Sequence, residues 1–399
     1  MSIKASNIWR IALVLGAACL VFGGMQGVHD NYGIMLQALM ATSGLGYDQV
    51  SFIIGIGALV YGVGQPLMGA LSLKRSNTFV MLLGLALMAV GLVATPHCHG
   101  FLALMVFFGV VLPLGTCGAT SGILMGTLTP VVGKERAVLA SGILQSSAGI
   151  GDMILSPALE HGISTVGIRW SLGILAGYFV ALVPLVFWFG RQGEHTDDEP
   201  ASEQDSSIVE IMREALTDRD YRLIIASFAT CGFNMSIIES HIFSQYVGAG
   251  IPSAIASLCL TVYGVGTMLG TLASGALSTR FRMKNVLGTI YALRSFLSLL
   301  FLLVPKTAPF ALLATLALGL TGDATVPPTQ GIINQRFGAR KLALLYGFTF
   351  IGHQIGAFSS SSLGGLFVRL GWGYAPLWTI NLVLTAFVAT CAYCIRARG

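Results

Sequence analysis

Ionisable side chains are scarce in this chain, and several of them interrupt long apolar runs. Chemistry is to be sought there first, because a charge near the centre of a hydrocarbon layer costs several kcal/mol and survives only where it is paired or used. The first group is Gln26, His29, Asp30, Asn31 and Tyr32. Adjacent helical residues lie about 100° apart, so His29 to Tyr32 cannot share one packed face. Either this stretch faces water or it is the outer end of its helix. The second group is Asn234 with Glu239-Ser240-His241, which either faces a polar cavity or ends a helix near the headgroups. The third is His353-Gln354, between Gly352 and Gly356. The fourth is Asp152, amid Gly149, Gly151 and Ser156. The last is Arg294 with Asp323. Carboxylates with a histidine close by suit proton binding, since partial burial brings a carboxyl toward physiological pH and imidazole titrates there already. Asp30, Glu239 and Asp152 are therefore the expected proton-coupling residues. His29, Asn31, Tyr32, Asn234, His241, His353 and Gln354 are the expected solute contacts. Packing alone is the competing explanation for Asp152 and His353, whose neighbouring glycines let helices approach closely. Arg294 and Asp323 fall at similar depth by the 1.5 Å rise per residue, which favours a structural ion pair over a substrate anchor.

These side chains need a membrane scaffold to hold them. The chain has 399 residues, of which 54% are hydrophobic and only 10% charged, whereas a soluble protein of this length is about a quarter charged. Apolar runs of helical length recur from end to end, so the expected fold is an all-α integral membrane protein and not a barrel of short alternating strands. Twelve spans are expected, over 8–40, 49–72, 78–95, 100–129, 137–163, 169–189, 222–247, 253–278, 285–304, 308–334, 341–368 and 374–396. The first run is too long for a signal-peptide core and is expected to be retained. Eighteen Lys and Arg residues fall on one side of this scheme and three on the other, which predicts cytoplasmic termini in a multi-pass protein of the inner membrane. The net charge of +5 comes from short basic clusters between spans and gives no nucleic-acid signal. The seven cysteines show neither metal-ligand spacing nor a disulfide framework. No cofactor is expected.

The stretch from Gly190 to Arg222 divides the chain and holds ten of its 17 acidic residues. The expected domains are a six-helix bundle over 1–189, a cytoplasmic linker over 190–222 and a second six-helix bundle over 223–399. Within the linker, Ser207 and Glu210 form a capping-box pattern ahead of Ile208, Ile211, Met212, Ala215 and Leu216. That stripe predicts a short helix on the membrane surface, with a plain charged loop as the other reading. The halves repeat. Gly69-Ala70-Leu71-Ser72 ends the second span and Gly275-Ala276-Leu277-Ser278 the eighth, 206 residues on. The pairs Gly142/Gly347 and Gly151/Gly356 are both 205 apart. A nearly constant offset at distant places points to internal duplication, which sets Glu239 at nearly the depth of Asp30. Two parallel repeats joined by a linker form a transporter arrangement.

With its 6 + 6 spans, long central loop and Gly-plus-basic loops after spans two and eight, the whole chain resembles the major facilitator superfamily. The loop Gly69-Ala-Leu-Ser-Leu-Lys-Arg75 departs from the family's G-x-x-x-D-R-x-G-R-[KR] by lacking the Asp. Span five, from Gly142 to Pro157, is similar to the family's glycine- and proline-rich motif. Phe348 to Phe358 and Ile290 to Arg294 are similar to bacterial members of the monocarboxylate-porter-like branch, although span eight lacks the Arg that this branch uses for a carboxylate. The resemblance implies two pseudo-symmetric bundles, with spans one, seven and ten lining a cavity and span nine peripheral. It also implies secondary active transport of a small organic solute by alternating access, coupled to protons, with a monocarboxylate-like substrate among the options. Drug or metabolite efflux by antiport is the alternative. A monomer is expected. No P-loop run supports ATP drive, and no nucleophile–base pair or metal cluster supports a membrane enzyme. The linker is too short for a sensor domain.

Overall fold

In the computed structural model, residues 5–133, 137–193 and 208–396 are described. Within them, ten helices are long and apolar enough to cross a membrane. Spans five (Ala137–Thr165, 29 residues) and eleven (Ala339–Arg369, 31 residues) are long helices as well. At 1.5 Å per residue each exceeds the hydrocarbon thickness of about 30 Å. Their apolar character is diluted by Gln145-Ser146-Ser147 and Ser359-Ser360-Ser361-Ser362. Large apolar side chains such as Trp170, Ile174, Leu313 and Val383 lie on the outside, as lipid-facing residues must. Residues 194–207, including Ser207 of the capping box, lie outside the described residues.

Contacts group the chain into two compact units. One comprises Met1–Leu45 with Val63–Glu199, the other Gly46–Gly62 with Pro200–Gly399. In the first unit, span one (Ala5–Asp30, continuing as Tyr32–Ser43) lies against span five. A Cβ on Gly151 would overlap the carbonyl oxygen of Gly23. In the second unit, span seven (Arg219–Gly248) lies against span eleven in the same way, and a Cβ on Gly356 would overlap the carbonyl oxygen of Ala229. Gly23 and Ala229 are 206 residues apart and Gly151 and Gly356 are 205 apart, so the sequence repeat is a repeat of one helix crossing. Only a residue without a side chain allows two backbones this close.

Both halves also break their helices at matching depth. Span one is interrupted at Asn31, while span seven widens to a π-helix over Ile237–Ile242. Span four breaks between Cys117 and Ser121, span ten between Thr321 and Val326. Breaks at membrane depth are tolerated only where other groups satisfy the freed backbone.

The helix Ile208–Thr217 forms, and part of its apolar stripe packs on the protein. Ala215 is fully buried in a core with Tyr221, Ile224 and Leu345, and Ile211 and Met212 pack on that core. Glu214 pairs with Lys341 at 2.6 Å. Ile211, Met212 and Ala215 of the apolar stripe are thus used in packing within the second unit, while Leu216 is exposed.

Candidate functional site

Span ten explains why one site stands out in the second unit. Pro327 and Pro328 have no N–H, so the carbonyls of Asp323 and Ala324 lose their helical donors. The chain turns out of the α-helix at Gly322, runs through a single turn at Asp323–Thr325 and resumes as Val326–Phe337. All four carbonyls from Thr321 to Ala324 find other partners. The N–H of Val326 donates to Asp323. Ser274 Oγ, from span eight, donates to Ala324 at 2.5 Å. Arg294 Nη2, from span nine, donates to Thr321 and, at 2.5 Å, to Gly322. Arg294 is completely buried, its guanidinium 5.5 Å from the Tyr291 ring centroid. The expected Arg294–Asp323 pair is thus not a direct hydrogen-bonded bridge. Arg294 Nη2 is instead spent on the two carbonyls just before Asp323, at a helix break where freed backbone groups in a membrane interior need partners.

Asp323 is partly exposed and lies within electrostatic reach of both Arg294 and His353. His353, in span eleven, is stacked on Phe350 (centroids 5.2 Å, planes 3° apart) and tilted against Phe228 at 5.1 Å. Its Nδ1 is buried, with no hydrogen-bond partner among the described residues. Gly232 makes this fit possible, since a Cβ there would overlap the His353 carbonyl. Tyr346 lies within the field of Asp323, and Cys231 Sγ meets Thr325 Oγ1 at 3.3 Å. Asn234 is buried with both amide ends unpartnered, and Gln354 packs against Gly62. A carboxylate, an imidazole and a guanidinium therefore share one neighbourhood at a helix break.

Several expected site residues instead hold structure. His241 is fully enclosed. Its Nε2 lies 3.1 Å from the Ser361 carbonyl and must donate, so Nδ1 accepts from Tyr47 Oη at 2.9 Å. Tyr374 donates to Tyr47 at 3.0 Å. With both ring nitrogens used, His241 is not a free solute contact. Neighbouring Glu239 is partly exposed on the π-helical turn. In the first unit, Asn31 is buried, donating to Gly27 at 2.7 Å and to Asp152 at 3.4 Å and accepting from Ser156 at 2.7 Å. Asn31 and the buried Asp152 therefore tie span one to span five across its break. Tyr32 is buried on Phe108 and against His29, while Asp30 remains partly exposed. Asp30 and Glu239 belong to different units.

The sequence model of the Major Facilitator Superfamily matches residues 14–252 and 235–398. The chain belongs to the major facilitator superfamily. This facilitator is 25% identical to the uncharacterised MFS-type transporter YhjX of Escherichia coli over 80% of its own length and 79% of that protein's. It is 21% identical to the uncharacterised MFS-type transporter YcxA of Bacillus subtilis, over 92% and 90%. It is 23% identical to monocarboxylate transporter 11 of mouse, over 67% and 59%. Its fold matches the crystal structure of a bacterial homologue of the human lysosomal transporter Spinster, with a TM-score of 0.71, 15% identity and 99% and 98% coverage. The facilitator is thus an all-α, multi-pass membrane protein of a transporter family.

Proposed function

We propose that this facilitator is a proton-coupled secondary transporter of a small organic solute, with monocarboxylates the first class to test. The observation that carries the reading is Asp323, a partly exposed carboxylate on a broken span with His353 and Arg294 in electrostatic reach. Alternating access needs a group whose charge differs between the two open states, and discontinuous helices at mid-membrane are where such groups sit. His353 supplies a base beside the acid, and Arg294 a buried, fixed positive charge in the same neighbourhood. The mouse relative named as a monocarboxylate transporter supports that solute class. We assign coupling first to Asp323, on its break in span ten, with Asp30 and Glu239 as the next candidates.

Proteoliposomes loaded with unlabelled lactate and given labelled lactate, with and without a pH gradient, test this. Asp323→Asn is expected to abolish pH-driven accumulation yet retain exchange, because exchange needs no deprotonation. Full accumulation in Asp323→Asn, with loss in Asp30→Asn or Glu239→Gln, moves coupling to spans one and seven. Absence of counterflow with any monocarboxylate removes the solute class.

We further place this monomeric protein in the inner membrane with both termini and the 190–222 stretch cytoplasmic, on the 18-to-3 bias of Lys and Arg. Single cysteines at Gln204 and Ala41 in a Cys-less background are expected to react from opposite faces. Labelling from the same face sinks the scheme.

A further inference from the structure

We infer that Arg294 and Ser274 form a side-chain clamp on the break in span ten, and that Arg294 is a positioning residue that sets the proton affinity of Asp323. The inference rests on Asp323 being the titrating carboxylate of the proposed transport cycle. Its ground is the backbone accounting at the break. Of the four carbonyls from Thr321 to Ala324, one is satisfied within span ten by Val326. The other three accept from two side chains of spans eight and nine. Ser274 contributes a neutral donor. Arg294 contributes two donors and a full charge, and it is completely buried. Its Nε and Nη1 make no hydrogen bond among the described residues. A guanidinium so enclosed and so incompletely satisfied is costly. A neutral donor, as at Ser274, would suffice for the backbone alone.

The charge has a use because of what faces Asp323. Span nine presents Arg294, and span eleven presents His353 and Tyr346. Span eight brings Tyr263 against Gly322, and span seven brings Cys231 against Thr325. Arg294 is the permanent cation of this group, since guanidinium stays protonated in proteins. It carries the positive charge that faces the Asp323 carboxylate. The two carbonyl bonds fix the guanidinium one and two residues before Asp323, which keeps that influence constant while the helix halves on either side move.

The test needs no solute. The melting temperature of the purified full-length protein is followed against pH in wild type, Asp323→Asn, Arg294→Met, Arg294→Lys and Ser274→Ala. Asp323→Asn is expected to remove one pH-dependent limb, which identifies that limb as the carboxylate's. Arg294→Met is expected to move the limb to higher pH by about 1–3 units, the usual effect of losing an opposite charge at close range. Arg294→Lys keeps the charge and leaves the limb in place. Ser274→Ala lowers the melting temperature at every pH without moving the limb. An unmoved limb in Arg294→Met, or no Asp323-dependent limb in wild type, overturns the inference. If Arg294→Met does not fold while Arg294→Lys folds with its limb in place, the need for a cationic donor is supported. Failure of both to fold overturns a positioning role in favour of a purely structural one. Flux separates the two readings. Intact coupling in Asp323→Asn with a shifted limb in Arg294→Met refutes the coupling assignment alone, whereas lost coupling with an unmoved limb refutes the clamp alone.

Discussion

Gly356→Leu is expected to yield no folded protein, and Gly356→Ala to fold with a lowered melting temperature. The Cβ of either residue would overlap the carbonyl oxygen of Ala229 and approach the Phe233 nitrogen at 3.0 Å. Both obstacles are backbone, so no side-chain rotamer relieves them. Spans seven and eleven must move apart, and overpacking of this kind costs about 1–3 kcal/mol for small additions and more for large ones. Separation would also lift His353 from Phe228, since His353 lies one turn before Gly356 on the same helix and its own carbonyl sits against Gly232. Thermal unfolding and size-exclusion profiles of the two variants measure the effect. Gly347→Ala is the control. Nothing lies within 4 Å of the Cβ it would introduce, and alanine is favoured over glycine within a helix by about 0.5–1 kcal/mol. Wild-type behaviour of Gly356→Leu, or equal losses at Gly347 and Gly356, would show that the crossing is not as tight as described.

That contrast marks what the sequence could and could not convey. Gly142/Gly347 and Gly151/Gly356 share one offset, and both signal duplication. Only Gly151 and Gly356 meet a backbone on another helix, while Gly142 and Gly347 meet nothing. The difference lies in the opposing helix, and spacing along one strand of sequence does not contain it. The helical membrane fold was legible because apolar runs of span length and clustered basic residues are one-dimensional properties. The helix Ile208–Thr217 was legible as a helix, yet its apolar stripe serves lipid or protein equally well on paper.

The site was legible as a set of residues and less so as a set of roles. A lone ionisable residue in a span is either a functional group or a satisfied core group, and partners decide which. His241 and Asn31 found partners for every polar atom within their surroundings and became structural. His353 Nδ1 has no hydrogen-bond partner among the described residues, and Asp323 beside it is partly exposed. The decisive signal in span ten is Gly322-Asp323 followed by Pro327-Pro328, a helix that cannot complete its own hydrogen bonds. By charge alone Arg294 reads as half of an ion pair, and charge does not show the carbonyls that it reaches. Ser274 carried no signal, since a serine that back-bonds its own helix and one that serves another carbonyl are identical in sequence.

Arg336→Ala is expected to destabilise the second unit by about 3–5 kcal/mol, the usual cost of removing one member of a buried charge cluster. Arg336 ends span ten and reaches two acids at the start of span seven, Asp218 and Asp220, each at 2.7 Å. Asp218 caps its helix by accepting from the Tyr221 N–H at 2.9 Å. Asp220 is almost fully buried and also accepts from the backbone N–H of Arg396, past the end of span twelve. One cation therefore joins the ends of three spans, and its loss leaves two neighbouring carboxylates facing each other. The effect depends on pH in a defined direction. Burial pushes the Asp218 carboxyl up, but the Arg336 and Tyr221 hydrogen bonds, with the Arg336 charge, outweigh it and hold the group below its ordinary value. A carboxyl depressed in the folded state contributes stability above its unfolded pKa and loses it as pH falls through the folded value. The melting-temperature gap between wild type and Arg336→Ala is thus widest at neutral pH and narrows on acidification. Arg336→Lys recovers only part of the gap, since an ammonium lacks the planar fork that engages both acids. A gap that stays constant from neutral to acidic pH would mean that the side chain is needed for packing and not for its charge.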